Sequence, residues 1–202
     1  MDLDTTQLIA LAAALGWASG LRLYAVVFLT GLAGWLGWVQ LPSGLQVLQH
    51  PLVLGASGLM LAVEFFADKV PGLDSVWDAV HTFIRIPAGM ALAAGVFGGD
   101  SAVWTTIAAL LGGTLAATSH AAKATTRAAV NMSPEPFSNI AVSLLGDAAV
   151  PTMLWLAFSH PMWFFVALAL VVALMIALTA VLFRFLRALV LRWRGQPAAA
   201  AP

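Results

Sequence analysis

Twenty-two consecutive residues, Met162 to Phe183, carry no charged side chain. A helix needs about 20 mostly apolar residues to cross a bilayer, and a run this long and greasy has few other places to go. The rest of the chain agrees. Of its 202 residues 61% are hydrophobic and 9% charged, against about 25% charged in an ordinary soluble domain. The sequence predicts an all-α, polytopic integral membrane protein whose first partner is the lipid bilayer. Nine Lys and Arg balance nine Asp and Glu, so no net field points to nucleic acid, and none is expected as a partner. The absence of cysteine removes disulfides, thiolate metal sites and cysteine nucleophiles. The acidic start MDLDTTQ is unlike the basic end of a secretory signal, so the first apolar run is read as a retained span.

Six spans are predicted. The first runs from about Thr6 to Thr30, capped by Asp4 or Thr5, with an interruption at Ala18–Tyr24. Gly31, Gly34 and Gly37 with Trp35 and Trp38 mark its tight interfacial end, and Pro42-Ser43-Gly44 a turn. The second runs from Pro51 to about Ala67 and stops before Pro71-Gly72. The apolar run Ile86 to Gly98 is too short: 13 residues make about 20 Å of helix, and the hydrocarbon core is about 30 Å thick. The third span must therefore begin near Leu73 to Trp77, which lifts His81 and Arg85 onto the spanning helix, with a kink at Pro87. The fourth runs from Ser101 to about Ala122, with continuation through KATTRAAVN. The fifth covers Phe137 to Phe158, beginning at Pro136 and enclosing Pro151. The sixth covers Met162 to Phe183. Arg184, Arg187, Arg192 and Arg194, beside Trp193, form a basic anchor, with 191–202 a disordered tail.

Six spans place Lys69, Arg85, Lys123, Arg127 and the four tail arginines on one side. The turns at 40–50, 99–101 and 159–161 hold no lysine or arginine, so the positive-inside rule gives N-in, C-in. The halves 1–99 and 100–190 share sparse features. Ala18-Ser19-Gly20 before Arg22 parallels Thr118-Ser119-His120 before Lys123, and Asp68 before Pro71 parallels Asp147 before Pro151. A 3+3 inverted repeat, as in many secondary transporters, is expected.

The ionisable groups cluster. The stretch Glu64 to Arg85 holds Glu64, Asp68, Asp74 and Asp78 with Lys69, His81 and Arg85. Glu64 and Asp68 share a helical face with Ser57, and Asp74, Asp78, His81 and Arg85 follow at spacings of four, three and four. A second stripe, His120, Lys123, Arg127 and Asn131, is placed to meet those acids. A third, Asn139, Ser143 and Asp147, must face protein or water because lipid cannot satisfy it. Arg22 is the natural counter-charge of a deep acid, and Ser19-Gly20 permits close packing or local unwinding.

Ionisable groups inside a membrane mark function by default. The blander reading is a set of ordinary ion pairs that hold helices together and set topology. The candidate ion or substrate site comprises Ser19, Arg22, Glu64, Asp68, Asp78, His81, Arg85, His120, Lys123, Arg127, Asn139, Ser143 and Asp147. Glu64, Asp68, His81 and His120 are the candidate metal donors, but no HExxH or comparable spacing supports them. No cofactor is expected, a divalent cation being the exception these donors would suit. Gly112-Gly113 lacks the lysine and serine of a phosphate-binding loop, and Ser119, His120 and Asp147 make a triple that chance also supplies; no catalytic residue is assigned. The preferred function is a small transporter or channel moving an ion or a small polar or anionic solute through a carboxylate- and Arg/Lys-lined site between helices 2, 3, 4 and 5, as a homodimer. The alternatives are an intramembrane metal-dependent enzyme acting on a lipid or lipid phosphate, and a non-catalytic scaffold.

Three segments, ASGLRLY at 18–24, EFFADKVPGLDSVWDAVHTFIRIPAG at 64–89 and HAAKATTRAAVNMSPEPFSN at 120–139, resemble a family of bacterial membrane proteins known as domain of unknown function 4126. The resemblance implies a small multi-pass protein of the bacterial inner membrane. It implies no activity and transfers no functional residue.

Overall fold

The structure, a computed structural model, describes residues 3–98, 101–132 and 137–193. Its helices are α1 (Thr5–Trp35), α2 (Pro51–Ala67), α3 (Leu73–Val96), α4 (Ala102–Val130), α5 (Phe137–Ser159) and α6 (Pro161–Trp193). A 3₁₀ helix, Ser43–Gln49, precedes α2 where the sequence suggested only a turn. Among the described residues, α1, α3, α4, α5 and α6 are long and apolar enough to cross a membrane. The 3₁₀ helix and α2, bent by 69°, form a sixth candidate if taken together.

The first helix departs most from expectation. Its start is secured by a capping box: Asp4 Oδ1 accepts from Gln7 N at 2.8 Å, and Gln7 Oε1 accepts from Asp4 N at 3.0 Å. It then breaks at Arg22, whose φ of −144° and ψ of 75° are not helical. The predicted interruption is real, but it falls three residues beyond Ser19 and folds the helix back on itself. Gln7 Nε2 donates to Phe158 O near the end of α5 at 2.9 Å. Arg22 reaches Ser143 and Asp147 in the first half of α5. Leu29, Thr30 and Ala33 have returned to Leu154 and Phe158, lining one cavity with Leu3 and Gln7. The arm 5–21 thus runs antiparallel to α5, and the arm 23–35 runs parallel to it. A straight helix would separate Leu3 from Ala33 by about 45 Å.

This hairpin changes the parity of the bundle. The α1 start and the α5–α6 turn share one end, and α6 runs away from that end past Trp17, whose Nε1 meets Met175 Sδ at 3.4 Å. The described ends of α1 and α6 therefore lie at opposite ends of the molecule, whereas an N-in, C-in chain needs them together. The inverted repeat meets a similar difficulty. Gly16 packs on Gly112, Gly20 on Ser119, and Leu21 O accepts from Lys123 Nζ. The first arm and α4 therefore run parallel where inverted partners would run oppositely.

Small residues make this core possible. A Cβ on Gly16 would collide with the Gly112 backbone, and one on Gly89 would lie 2.7 Å from Ala116 Cβ. Between membrane helices such close approach is a main source of attraction, because lipid is as apolar as leucine. Residues 10–22 are all buried, so the first arm is the axis around which α3, α4, α5 and α6 are arranged.

The other expectations fare variously. α2 has the predicted bounds, and α3 starts at Leu73 as the length argument required but continues through Pro87 as one helix. α4 does continue through the polar segment to Val130, and Ser101 sits at its N-cap without a side-chain cap bond. α6 overruns its expected end, carrying Arg184, Arg187 and Arg192 and crossing the expected tail boundary at 191. Pro136, Arg194 and the rest of the predicted tail lie outside the described residues, as does most of the 99–101 turn.

Candidate functional site

The break in α1 lies at the centre of a buried charge network. Asp68, at the C-cap of α2, is fully buried. Its Oδ2 receives Arg22 Nη1 from the break, Lys123 Nζ from α4 at 2.8 Å and Arg127 Nη2 at 3.5 Å. Arg22 also bridges to α5, with Nη2 2.8 Å from Asp147 Oδ1 and 2.9 Å from Ser143 Oγ. Lys69 closes the outer edge through Asp147 Oδ2 at 2.9 Å, with its ammonium over the Phe65 ring.

The helical stripes determine the inner side. Arg85 is 0% exposed and lies seven residues after Asp78, two turns along α3, so its Nη1 reaches Asp78 Oδ1 at 2.7 Å. Its Nη2 reaches Glu64 Oε1 at 2.7 Å. Lys123 joins the two sides, 2.9 Å from Asp78 and also bonded to Asp68. Toward the α2–α3 turn, Arg127 pairs with Asp74 at 3.2 Å, donates to Asp68 O and meets Asn139 Oδ1. Asn131 Nδ2 also donates to Asp74. Asp74 itself accepts from Gly72 N and Ser75 N, local bonds that hold the turn.

Five cations (Arg22, Lys69, Arg85, Lys123, Arg127) thus meet five carboxylates (Glu64, Asp68, Asp74, Asp78, Asp147). An unpaired ion in a low-dielectric interior costs several kcal/mol, and the equal numbers avoid that cost. Three of the five carboxylates are nevertheless only half used. Glu64 Oε2, Asp68 Oδ1 and Asp78 Oδ2 are buried and have no hydrogen-bond partner among the described residues, and the same holds for Arg85 Nε, Arg127 Nε and Asn139 Nδ2.

Ten of the thirteen residues singled out from the sequence are joined directly in this network. The other three stand apart to different degrees. His120 sits at its edge, Nε2 2.7 Å from Thr82 Oγ1 and Nδ1 3.4 Å from Arg85. His81 faces another way: its Nδ1 donates to Trp77 O at 2.7 Å, its ring stacks on Trp77, and its Nε2 accepts from Tyr24 Oη at 3.1 Å. Ser19 is buried but bonds back to Leu15 O on its own helix. Among the described residues no three His, Asp or Glu side chains converge as a metal site. Sequence reasoning left Asp74, Lys69 and Asn131 out of the site. Each lies in the stripes or charged stretch already noted, so following those patterns to their ends would have found them. Tyr24 and Thr82 carry no such signal.

Beside the network lies a cavity of about 750 Å³ between α4, α5 and α6, with Arg22, Asp68, Lys123, Arg127 and Ser143 at one end and apolar side chains along the rest. No curated protein and no solved structure matches the chain. A family model does match, over residues 9–180, taking in all three motifs and the whole network, and the chain belongs to the family described as Domain of unknown function (DUF4126).

Proposed function

We propose that this is a small transporter or channel of the bacterial cytoplasmic membrane that moves an ion or a small polar or anionic solute through the charge network. Supporting this reading is the coincidence of a broken helix with buried, half-used carboxylates. Transporters commonly bind their substrates where a spanning helix is interrupted, because the break frees backbone groups and allows two arrangements. Here the carbonyl of Leu21, just before the break, accepts from Lys123 at 3.2 Å, as a cation at a helix C-terminus should. Balanced charge alone would equally suit a scaffold. The free oxygens of Glu64, Asp68 and Asp78 favour transport, since each can take a proton or a cation while the other oxygen keeps its partner, which weakens that ion pair without displacing it.

The same reading orients the protein. The α1 hairpin puts the described N-terminal end on the face opposite the basic end of α6, and the network cations lie toward the latter. With basic residues inside, the protein is N-out and C-in.

Proton flux into vesicles tests the function. Purified protein in liposomes containing a pH-sensitive dye is driven by a potassium diffusion potential. Wild-type vesicles should acidify faster than empty ones, and Asp147→Asn should abolish the difference while remaining monodisperse. Wild-type flux equal to that of empty vesicles removes proton movement, the form of the reading that the half-used carboxylates support.

A further inference from the structure

The ammonium of Lys69 fills a seat that would hold a free ammonium ion equally well. Its Nζ donates to Asp147 Oδ2 at 2.9 Å, to Phe65 O at 3.2 Å and to Ser143 Oγ at 3.3 Å. A lysine head has three donors, and here each meets an oxygen. The Phe65 ring covers a further side, its centroid 3.1 Å from the nitrogen, and an aromatic face attracts a cation. Phe65 O is open to this contact because the amide of Lys69 bonds Phe66 O at 3.1 Å instead of continuing the helix. It is an orphan carbonyl at the negative end of α2, where a cation is favoured. The one carboxylate of the seat is already shared with Arg22, so the seat balances a single positive charge and is poorly suited to a divalent ion.

Two observations set this seat apart from the rest of the network. The side chains of Lys69 and Asp147 are 19% and 20% exposed, whereas every other side chain of the network is 7% exposed or less. Lys69 also stands in the turn between α2 and α3, so its side chain can swing out to water without unwinding a helix. Its departure leaves Asp147 Oδ2 open and the network with one carboxylate in excess. A merely structural ion pair needs neither the exposed edge nor the mobile anchor.

We propose that ammonium or a small primary alkylammonium ion binds at Asp147, Ser143 and Phe65 by displacing the Lys69 side chain. As the substrate class of the transporter this rests on the transport reading; as a binding site it stands alone.

The test vacates the seat and refills it. Lys69→Ala protein in phosphatidylcholine nanodiscs is titrated with the chlorides of methylammonium, tetramethylammonium and sodium at matched ionic strength. Methylammonium carries the three donors of the lost side chain, tetramethylammonium carries none, and sodium supplies charge alone. The unfolding temperature should rise with methylammonium, and the other two should need at least about tenfold higher concentration for the same shift, since neither makes the hydrogen bonds. Adding Asp147→Asn should remove the preference. Equal shifts from the three salts mean charge screening only and overturn the proposal. The wild-type protein supplies a second measurement, which holds even if Lys69→Ala does not fold. Lys69 and Lys123 are its only lysines, and an amine-reactive ester attacks only an amine that has left its oxygens. Lys69 should be modified at least about tenfold faster than Lys123, read by mass spectrometry, because its seat opens more easily than the buried one. Equal protection of the two overturns the displacement. Rescue by methylammonium without proton flux keeps this site and ends proton movement; proton flux without rescue does the reverse.

Discussion

Residues 10–18 of α1 and the residues around its break are equally buried, yet they are held by opposite means. The first segment is alanine, leucine, glycine and tryptophan, pressed against the glycines of α3 and α4. Four residues further on, Arg22 is held by carboxylates from α2 and α5. Backbone packed on backbone admits one arrangement. An ion-pair network with spare oxygens admits several, because protonating or binding at one member changes which pairs are favourable. The difference teaches that the first arm acts as a fixed axis and the break as the adjustable part.

Substitutions can break that contrast. The largest loss is expected for Gly16→Leu, whose Cβ alone collides with the Gly112 backbone. Its cost should exceed about 4 kcal/mol, with little folded protein recovered by size-exclusion chromatography, and no second substitution on a neighbouring side chain should restore it. Asp68→Ala comes next, since three cations lose their shared oxygen; about 3–5 kcal/mol is typical for stranding a buried charge. Unlike the glycine change, it should be rescuable. Adding Lys123→Met removes a surplus cation, and the double variant should be more stable than the sum of the singles by about 0.5–3 kcal/mol, read from thermal unfolding. A strictly additive result would mean that the network is as rigid as the packed arm. Lys69→Met should cost about 1 kcal/mol or less, because the pair is partly exposed and Asp147 keeps Arg22. Ser19→Ala should be the mildest, about 1 kcal/mol or less and without effect on flux, since it removes only a bond to its own helix.

The stripes were legible because charge inside a membrane can face only protein, so a spacing of three and four residues is nearly a contact map. Asp78 meets Arg85 along its own stripe, and the two stripes meet through Lys123 on Asp78 and Arg127 on Asp74. The start of α3 followed from length alone. The hairpin in α1 was not legible. Residues 6–30 have the length and polarity of one span, and the break falls on an arginine, which is an ordinary helix former. The break accompanies ties from Arg22 to Asp68 and Asp147, which lie 46 and 125 residues away. Local propensity contains no trace of such partners. Ser19 misled for the related reason that a helical hydroxyl can bond its own backbone as readily as a neighbour's.

The absence of cysteine makes the hairpin directly measurable. In the double variant Leu3→Cys with Ala33→Cys, spin labels would report the distance between the two arms by pulsed electron resonance. An unbroken helix places the labelled positions about 45 Å apart. The folded-back α1, whose arms line one cavity at these residues, predicts a distance less than half of that. A distribution centred near the longer value would contradict the hairpin, and with it the assignment of the break at Arg22 as the centre of the site.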